Sequence, residues 1–541
     1  MGSGDRTPVR AALAGAVGLV ALASLAVAPP PLVGPAMVAA DQQLASEAGA
    51  EALAAGVVQP SSSGLGGGGF AVGRLGTTAF ALDFREVAPA SATADMYRTA
   101  DGGVDRDASL KGARAVAVPG EARGLAALVR THGKLPLSAV AAPAIQLASR
   151  GFPVGLHLAE ALERTDFPAI RSMFSVGGAL ATRGTVVKRP ELAKALRGWV
   201  RTGGDVLSTG DGARRVSAAT GGAVSVADLE QLHPKVREPL VGHFHGYTIT
   251  TMPPPSSGGV AVLEALHVLE GYDLVSLGHD SSDYLHLLAE VLKHVFADRA
   301  NLLGDPDFVE VPVDRLLSEE RAAEIQRAIW PGRTFPPEHY GELLAPPKDA
   351  GTQHISAVDR SGGGVALTTT INMAFGSGQV VDGLGVILND EMDDFSAAPG
   401  VPNGFGLVGA EANAIAPGKR PLSSMSPTVV TDADGRVVLV VGASGGSTII
   451  TGTLQVLLNV LVFGMDAEEA DAAPRIHHQW LPNQLWVEPG VPDDVLRALR
   501  ARGHEVVVRE GFTAVQVLTV APDHRVEGAS DPRKGGAPAA P

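Results

Sequence analysis

A hairpin pattern about two thirds of the way along the chain constrains the fold more than any other feature. The first part, His354 to Asp359, alternates in apolar character, and the second, Arg360 to Gly364, favours a turn. The third part, Val365 to Ile371, is rich in β-branched residues. A turn centred near Ser361 makes residues at equal distances on either side face each other, so Thr370 should lie opposite Thr352 at cross-strand contact distance. The sequence therefore predicts two threonine hydroxyls at one site.

The Gly351-Thr352 step at the head of this hairpin permits self-cleavage. The hydroxyl can attack the carbonyl carbon of Gly351, which moves the acyl group from nitrogen to oxygen before water releases it. Thr352 then becomes an N-terminus, and its α-amino group, with an unperturbed pKa of about 8, can act as general base for its own hydroxyl. The competing interpretation is that threonine is simply favoured in strands, and this suffices for Thr368 and Thr369.

Composition limits the other chemistry. The 541 residues are 45% hydrophobic and 19% charged, which is typical of globular proteins. The absence of cysteine removes disulfides, thiolate nucleophiles and thiolate metal ligands, so covalent chemistry must use oxygen or nitrogen. The net charge of −15, with lysine and arginine scattered, argues against nucleic acid as a partner.

The N-terminus is typical of an export signal. Arg6 and Arg10 precede a small, apolar run from Ala11 to Ala28, which ends in small residues. We therefore expect an exported protein, periplasmic or extracellular, with residues 1–35 forming the signal and a Pro-rich linker. Pro29 leaves an alternative, an uncleaved membrane anchor, because the run is about the minimum length that can span a bilayer.

The rest of the chain mixes helix and strand patterns. Predicted strands and one clear helix are Ala79 to Phe84, Tyr247 to Met252, Val437 to Val441, and Asp283 to Phe296. No repeat or low-complexity linker divides residues 36 to 530, so we predict one large domain. The polar, Gly/Pro/Ala-rich segment after Asp531 is predicted to be a frayed tail.

Several uninterrupted runs occur in an order that is specific to one family. They are Leu65 to Phe70, Asp83 to Glu86, Pro253 to Gly259, Asp298-Arg299 with Gly304 to Pro306, Asn372 to Gly376, Leu388 to Phe395, Lys419 to Thr428, Gly445 to Ser447, and His477 to Pro482. Together with Thr352, these runs closely resemble the γ-glutamyltranspeptidase family, also called glutathione hydrolases, over roughly residues 36 to 533.

The resemblance implies an α+β fold of the N-terminal-nucleophile (Ntn) hydrolase type, a four-layer αββα sandwich made as a precursor that cleaves itself. The cut between Gly351 and Thr352 would give a large subunit, 36–351, and a small subunit, 352–541. The two subunits would form one αββα domain and stay associated as a heterodimer. Thr352 would take the γ-glutamyl group from compounds such as glutathione and pass it to water, an amino acid or a peptide. No cofactor and no metal is expected.

The resemblance also implies which residues hold the glutamyl group. A free α-carboxylate is suited by a guanidinium and hydroxyl donors, and an α-ammonium by carboxylate and amide oxygens. The matching positions are, for the carboxylate, Arg85, Ser423 and Ser424, and for the ammonium, Asn372, Glu391 and Asp394. Opposite charges at the two ends would fix the γ-carbonyl over the nucleophile.

Three further positions are implied to assist the reaction. Thr370, which the hairpin register places beside Thr352, matches the family threonine that orients the nucleophile. The backbone N–H groups of Gly445 and Gly446 would hold the oxyanion that forms in the transition state.

Other functions compete for the same sequence. The stretch Gly442 to Gly446 fits a serine nucleophile elbow, with Asp471 and His477 following, although no parallel sheet of the matching fold is indicated upstream. A cephalosporin-acylase-like amidohydrolase would keep Thr352 but need less from the ammonium site. An unprocessed, inactive family member could act only as a binding or scaffold protein.

Two local patterns are weaker still. The glycine-rich run Leu65 to Phe70 lacks the downstream acidic residue of a dinucleotide site and is predicted to be a close-packed turn. Two histidine pairs, His243 with His245 and His477 with His478, lack a third ligand for a metal.

The chain departs from the family pattern at three places. Between Leu53 and Gly56 it lacks a turn and most of a buried, alanine-rich helix, which should expose core surface. Gln353 replaces a threonine beside the nucleophile, so a hydroxyl is lost. Phe405, in a segment that resembles a lid from Ser396 to Leu407, replaces a tyrosine, so closure would rest on packing alone.

Overall fold

Two antiparallel β-sheets lie face to face at the centre of the structure. The computed structural model describes residues 32–34, 37–40, 52–101, 103–341, 352–397, 401, 403, 404, 407, 409–534, 536 and 538. The export segment, Gly351 and Phe405 therefore lie outside the described residues, and the predictions made for them are not addressed by the fold.

The two sheets have seven and six strands. The seven-stranded sheet runs, in spatial order, Leu32–Gly34, Val526–Ser530, Ala514–Val520, Val437–Ser444, Thr428–Thr431, Tyr247–Thr251, Leu240–Phe244. The six-stranded sheet runs Met37–Ala40, Gln353–Val358, Gly364–Thr370, Gly68–Leu75, Thr78–Asp83, Lys235–Arg237. Short strands elsewhere pair Phe152–Pro153 with Val186–Val187, Ser175–Val176 with Ala179–Leu180, and Val380–Val381 with Val386–Ile387. In a further small sheet, Leu485–Val487 lies between Ile476–His477 and Val506–Val508 and pairs with both.

Side-chain alternation along the six-stranded sheet divides the interior into two cores. Phe70 and Val72 face the core that contains the seven-stranded sheet, whereas Ala71 between them faces the other core. Helices cover the outer side of each sheet. On the seven-stranded side the main helices are Ser257–Leu269, Ser282–Leu302, Glu319–Ala328, Thr448–Leu461, Ala467–Ala472 and Asp493–Ala501.

The helices beyond the six-stranded sheet bury their apolar residues in the second core. They include Ala52–Val58, Glu121–His132, Ala142–Arg150, Leu156–Arg164, Pro168–Met173, Pro190–Thr202, Gly210–Ala219 and Val226–Gln231. The remaining α-helices are Arg106–Leu110, Leu137–Val140, Leu274–Leu277 and Val313–Leu316. The layer order is thus helix, sheet, sheet, helix, and the predicted αββα sandwich is confirmed.

The hairpin forms with the predicted register. Strands Gln353–Val358 and Gly364–Thr370 pair so that Gln353 faces Thr369 and His354 faces Thr368. The carboxylate of Asp359 closes the turn, because it accepts hydrogen bonds from the backbone N–H groups of Ser361 and Gly363 at 2.9 and 3.0 Å.

The predicted elements exist, with boundaries that shift by a few residues. The strands are Thr78–Asp83, Tyr247–Thr251 and Val437–Ser444, and the helix extends to Ser282–Leu302. Its start is fixed by Ser281, whose hydroxyl accepts a hydrogen bond from Tyr284 N at 3.1 Å. Among the described residues, no helix is both long and apolar enough to cross a membrane.

The glycine-rich run Leu65 to Phe70 is only partly the close-packed turn that was predicted. Strand Gly68–Leu75 begins inside it and pairs with Gly364–Thr370. Close packing is nevertheless the reason for the glycines. A Cβ atom at Gly67 would overlap Thr370 O, and one at Gly69 would overlap Thr368 O.

Two segments predicted to be irregular belong to the folded body. Residues Leu32–Gly34 of the Pro-rich linker pair as a strand with Val526–Ser530. The chain just after Asp531 is not frayed, because Arg533 donates to Glu488 Oε1 at 2.8 Å and its backbone N–H donates to the fully buried Asp531. Tertiary ion pairs override the composition of this segment.

The shortened segment near Leu53 does not expose the core. Residues Ala52 to Val58 form a fully buried helix whose apolar side chains are each at most 4% exposed. Its glycine, Gly56, allows close approach, since a Cβ atom there would lie 3.0 Å from Gly64 Cα. A neighbouring cavity lined by Leu53 and Gly56 encloses only about 20 Å³. The expectation of exposed core surface is therefore wrong for the described residues.

Candidate active site

Nine of the ten residues predicted to form the site line one small pocket, where strand ends of both sheets meet. They are Arg85, Thr352, Thr370, Asn372, Glu391, Asp394, Ser423, Ser424 and Gly446. The tenth, Gly445, lines a larger pocket next to it. The small pocket encloses about 20 Å³, enough for about one water molecule. The side chains on opposite sides of this pocket therefore lie against one another.

Thr352 is placed at the head of the hairpin beside Thr370. The two hydroxyl oxygens are 3.4 Å apart, and both side chains are buried. Thr370 Oγ1 also accepts a hydrogen bond from Asn372 N at 2.8 Å, and a hydroxyl that accepts can also donate, so donation towards Thr352 is compatible with this contact. Thr370 can thus fix the orientation of the Thr352 hydroxyl.

Arg85 lies between the two acidic residues of the site. Its guanidinium donates one hydrogen bond to Glu391 Oε1 and another to Asp394 Oδ2, and its Nε donates to Pro421 O at 3.3 Å. A third carboxylate, Glu86, is 3.8 Å away. The groups predicted to bind the two ends of glutamate therefore bind each other in this structure.

Burial governs the charges of this cluster. It raises the pKa of Glu391 and of Asp394, and the neighbouring Arg85 cation opposes both shifts. Burial lowers the pKa of Arg85, but the two carboxylates outweigh it and the pKa is raised overall. Burial also raises the pKa of Glu86 to about 8, with Arg85 opposing, so Glu86 is mostly protonated at neutral pH. Arg85 stays charged and is shared by two carboxylates.

Ser424 is held by Arg299, which belongs to one of the family runs but had no role predicted for it. Arg299 donates to Ser424 Oγ at 3.3 Å and to Ser257 Oγ at 2.9 Å. It is buried, and burial lowers its pKa to about 10, while Asp394 opposes the shift. Ser423 Oγ accepts from Met425 N at 3.1 Å. A second cation thus lies next to the pocket, behind Ser424.

Asn372 and Asp394 are fixed by neighbouring backbone and side chains. Asn372 has a φ of 71°, a conformation that asparagine tolerates, and its Nδ2 donates to Asp390 O at 3.1 Å. Asp394 Oδ1 accepts from Asn403 Nδ2 at 3.1 Å, and Asn403 belongs to the segment that resembles a lid. Sequence reasoning did not identify Asn403 or its contact.

The two glycines lie between a strand and a helix. Strand Val437–Ser444 ends just before them, and helix Thr448–Leu461 begins just after them. Gly445 has a φ of 130° and Gly446 a φ of 61°. A Cβ atom at Gly445 would meet Thr448 Oγ1 and lie 2.8 Å from Phe512 O. Only glycine suits this turn, which brings backbone N–H groups near the N-terminal end of a helix.

The C-terminal segment reaches Thr352. Lys534 Nζ donates to Thr352 O at 2.9 Å and to Ser444 Oγ at 2.7 Å. Nothing in the local sequence indicated this contact, because the partners are far apart along the chain.

The predicted serine triad does not assemble. His477 uses both ring nitrogens, with Thr451 Oγ1 at 3.0 Å and Gln479 Oε1 at 2.9 Å, and Asp471 is paired with Arg475. The acid and base of a serine triad therefore serve other contacts.

The described residues hold one cluster with the composition of a metal site, and it includes none of the histidines named from the sequence. The ligand atoms of His286, Glu290 and His504 lie within 4.8 Å of one another. They already serve each other and a cation: His286 Nδ1 is 2.8 Å from His504 Nε2, and Lys293 Nζ donates to Glu290 Oε1 at 2.8 Å. These contacts account for the burial of the cluster.

Comparison with known proteins places this architecture among the N-terminal-nucleophile hydrolases. The structure of a cephalosporin acylase from Bacillus halodurans matches with a TM-score of 0.82 at 28% identity, over 94% of this chain and 97% of that chain. The sequence is more specific, and the chain belongs to the gamma-glutamyltranspeptidase family, whose model matches residues 45–540.

Two relatives show the extent of the similarity. The glutathione hydrolase proenzyme of Escherichia coli strain K12 is 40% identical over 489 residues, covering 88% of this chain and 84% of that protein. The structure of a gamma-glutamyltranspeptidase from Helicobacter pylori is 35% identical, with a TM-score of 0.51, over 52% of this chain and 84% of that chain.

Proposed function

We propose that this chain is an exported γ-glutamyltransferase and glutathione hydrolase that matures by cleavage between Gly351 and Thr352. One observation carries the proposal: Thr352, Thr370 and the charged and hydroxyl groups suited to glutamate line a single buried pocket. Membership of the family supports the reaction class. The large and small subunits, 36–351 and 352–541, would remain associated through the shared sheets.

The reaction uses Thr352 twice. After cleavage, the free α-amino group of Thr352 takes the proton of its own hydroxyl while the oxygen attacks the γ-carbonyl carbon of the substrate. The N–H groups of Gly445 and Gly446 hold the oxyanion of the tetrahedral intermediate. When the intermediate collapses, the C–N bond breaks and the proton goes to the leaving amine. A γ-glutamyl ester of Thr352 remains.

Deacylation returns the enzyme to its starting state. The α-amino group removes a proton from water or from an acceptor amine, which attacks the ester carbon. The C–O bond to Thr352 breaks, and its oxygen recovers the proton. Thr370, 3.4 Å from Thr352 Oγ1, keeps this oxygen in place through both steps.

Recognition of glutamate is an exchange of ion pairs. In the closed pocket, Arg85 is the shared partner of Glu391 and Asp394. A glutamyl group brings one carboxylate and one ammonium at the same carbon, so its insertion adds no net charge. The substrate carboxylate replaces the acids as a partner of Arg85, and the substrate ammonium replaces Arg85 as a partner of the acids. A ligand with only one of these charges leaves a buried ion without a partner.

The test is the intact mass of the purified protein during incubation at neutral pH, beside a Thr352→Ala variant. We expect the parent to give a 190-residue fragment that starts at Thr352 and the variant to stay whole. The cleaved parent should then release p-nitroaniline from γ-glutamyl-p-nitroanilide. A folded parent that never cleaves would overturn the proposal and favour an inactive binding or scaffold role.

A second candidate rests on the similarity to the cephalosporin acylase, which matches nearly the whole chain. An amidohydrolase of that kind would keep Thr352 as nucleophile and would not need a free ammonium on the substrate. The variant Asp394→Ala separates the two functions. For a γ-glutamyltransferase, cleavage of the anilide should fall by at least about 100-fold, since a buried ion pair is broken. An unchanged rate would favour the amidohydrolase.

A further inference from the structure

We propose that Asn403 is a site of spontaneous modification, at which the side-chain amide cyclises with the backbone nitrogen of Gly404 and is converted to a carboxylate. The new charge lies against Asp394 and weakens the binding of the γ-glutamyl donor. The modification itself is independent of the proposed function, whereas its effect on donor binding rests on that function.

The sequence contains a single dipeptide suited to this reaction. The chain has seven asparagines, and only Asn403 is followed by a glycine. Gly404 has no side chain to hinder the approach of its nitrogen to the asparagine Cγ atom, and its backbone can adopt many conformations at little cost. Both residues are partly exposed, so water can reach the ring that forms.

The contacts of the two residues match the steps of cyclisation. Gly404 N donates to Asp393 Oδ2, and this carboxylate can take the proton that the nitrogen loses when it attacks. Burial raises the pKa of Asp393 to about 6, and the hydrogen bonds from Ser109 and Gly404 oppose the shift, so the carboxyl is mostly ionised at neutral pH. Leu407 N donates to Asn403 Oδ1 at 3.1 Å, where negative charge develops during the attack.

The reaction needs water alone. A bond forms between Gly404 N and Asn403 Cγ, and the bond from Cγ to Nδ2 breaks, so that ammonia leaves with the proton taken from Gly404 N. The product is a succinimide ring. Water then opens the ring at either carbonyl carbon: attack at Cγ gives aspartate, and attack at the main-chain carbonyl carbon gives isoaspartate.

The amide that is lost contacts the glutamyl pocket. Asn403 Nδ2 donates to Asp394 Oδ1 at 3.1 Å, and Asp394 is proposed to bind the substrate ammonium. An ionised carboxylate at position 403 has no proton to donate, and it places a second negative charge beside a buried carboxyl group. Repulsion between the two groups therefore breaks this contact and disturbs the ammonium site.

Two other asparagines provide internal controls. Asn413 also contacts the same aspartate, since its Nδ2 donates to Asp394 O at 2.7 Å, but the next residue is an alanine, whose side chain hinders the attack. Asn483 is partly exposed, like Asn403, and is followed by a glutamine. Neither asparagine should be modified if the following glycine determines the reaction.

The experiment follows peptides of the purified protein, cleaved or whole, during prolonged incubation at mildly alkaline pH. Mass spectrometry should show the exchange of an amide for an acid in the peptide that contains residue 403, and an isoaspartyl methyltransferase should label part of it. The peptides with Asn413 and Asn483 should stay unchanged. Asn403→Gln should resist modification, because its longer side chain closes a ring less readily. An Asn403 that stays intact in the folded protein, while it is converted in urea, would overturn the proposal.

The effect on donor binding is measured with Asn403→Asp, which carries the product charge in every molecule. We expect the KM for γ-glutamyl-p-nitroanilide to rise about tenfold or more, the factor for a lost hydrogen bond to a charged group. The control is Asn483→Asp, which adds the same charge at a residue that lines neither pocket and should match the parent.

The two measurements separate the possible failures. Activity of the incubated parent at low donor concentration should fall in step with the modified fraction. A parent-like KM in Asn403→Asp, or an equal rise in Asn483→Asp, would overturn the effect on binding. A modified Asn403 in a parent that releases no nitroaniline would overturn the proposed function and support the modification site.

Discussion

The two pockets that meet beside Thr352 treat charge in opposite ways. In the glutamyl pocket, Arg85, Glu391 and Asp394 are nearly inaccessible and are bound to one another. In the larger pocket, the ion pair of Arg164 faces solvent. A buried ion without a partner is strongly destabilising, whereas an exposed ion is solvated by water. The buried glutamyl pocket can therefore bind only a group with matching charges, whereas the exposed larger pocket can bind groups of varied charge.

This difference suits the two halves of the proposed reaction. The glutamyl group is common to every donor, so a rigid site with complementary charges on both ends gains specificity. Leaving groups and acceptors vary, and a wide pocket with exposed cations can accommodate that variety. Gly445 lines the larger pocket and Gly446 the smaller one, so the proposed chemistry lies where the two pockets meet.

The largest effect is expected for Arg85→Lys. A lysine keeps the charge but loses the planar fork that reaches Glu391 and Asp394 together. We expect kcat/KM for γ-glutamyl-p-nitroanilide to fall by about 100-fold or more, the factor that corresponds to about 3 kcal/mol. Steady-state kinetics on cleaved protein gives the value.

The control for this variant is Arg475→Lys, which changes an equally buried arginine between two carboxylates, Asp471 and Asp531, at 2.7 and 2.6 Å. It should lower thermal stability with a much smaller effect on kcat/KM. If both variants lose activity in proportion to stability, Arg85 has a structural role only.

The second prediction concerns the boundary itself. Gly445→Ala should lower kcat by about 100- to 1,000-fold, because the new methyl group meets Thr448 Oγ1 and displaces an N–H that is proposed to hold the oxyanion. Gly464→Ala is the matched control. Gly464 also has a positive φ, 68°, but a Cβ atom there meets nothing within 4 Å. A similar loss in both variants would assign the effect to backbone strain.

The local sequence pattern alone predicted one part of this site, the placement of Thr370 beside Thr352. The alternation of His354 to Asp359 and the turn chemistry after it set the register that puts Thr370 next to Thr352, because a strand has a side-chain period of two. The other pocket residues were identified by a resemblance in which many short runs occur in order. No property of Arg85 or Ser424 alone would have placed it there.

Two other contacts at the site could not be predicted from the local sequence, because their partners are far apart along the chain. Arg299 meets Ser424 across 125 residues, and Lys534 meets Thr352 across 182 residues. Composition even predicted the opposite for the C-terminal segment, which is rich in glycine and proline yet is held by Arg533 in buried ion pairs. Such pairings depend on the assembled sheets, and single-sequence propensity does not describe them.

A smaller effect is expected for Ser424→Ala. This variant removes the hydroxyl that accepts from Arg299 at 3.3 Å and that is proposed to donate to the α-carboxylate. One hydrogen bond to a charged group is worth about 1.5 to 3 kcal/mol, so kcat/KM should fall by about 10- to 100-fold, mostly through KM. Ser426→Ala, which removes a hydroxyl that donates to Ser424 O at 3.0 Å, tests whether any serine loss in this loop has the same result. Indistinguishable variants would count against a direct contact.

The smallest effect is expected from ionic strength and needs no substitution. Raising ionic strength from about 0.01 M to about 1 M shortens the screening length from about 30 Å to about 3 Å, and only solvent-exposed charges respond strongly. The KM for glycylglycine should therefore rise about threefold, because the cations of the larger pocket that can attract its carboxylate, such as Arg164, are exposed to salt. The KM for the donor should change far less, because Arg85 and its acids are shielded from salt by burial.

The control acceptor is glycylglycinamide, which lacks the terminal carboxylate. A change in its KM with salt measures the general effects of salt, apart from screening of the carboxylate. If the donor and the carboxylate acceptor weaken equally, the two pockets do not differ in electrostatic exposure, and the glutamyl pocket must open to solvent before it binds.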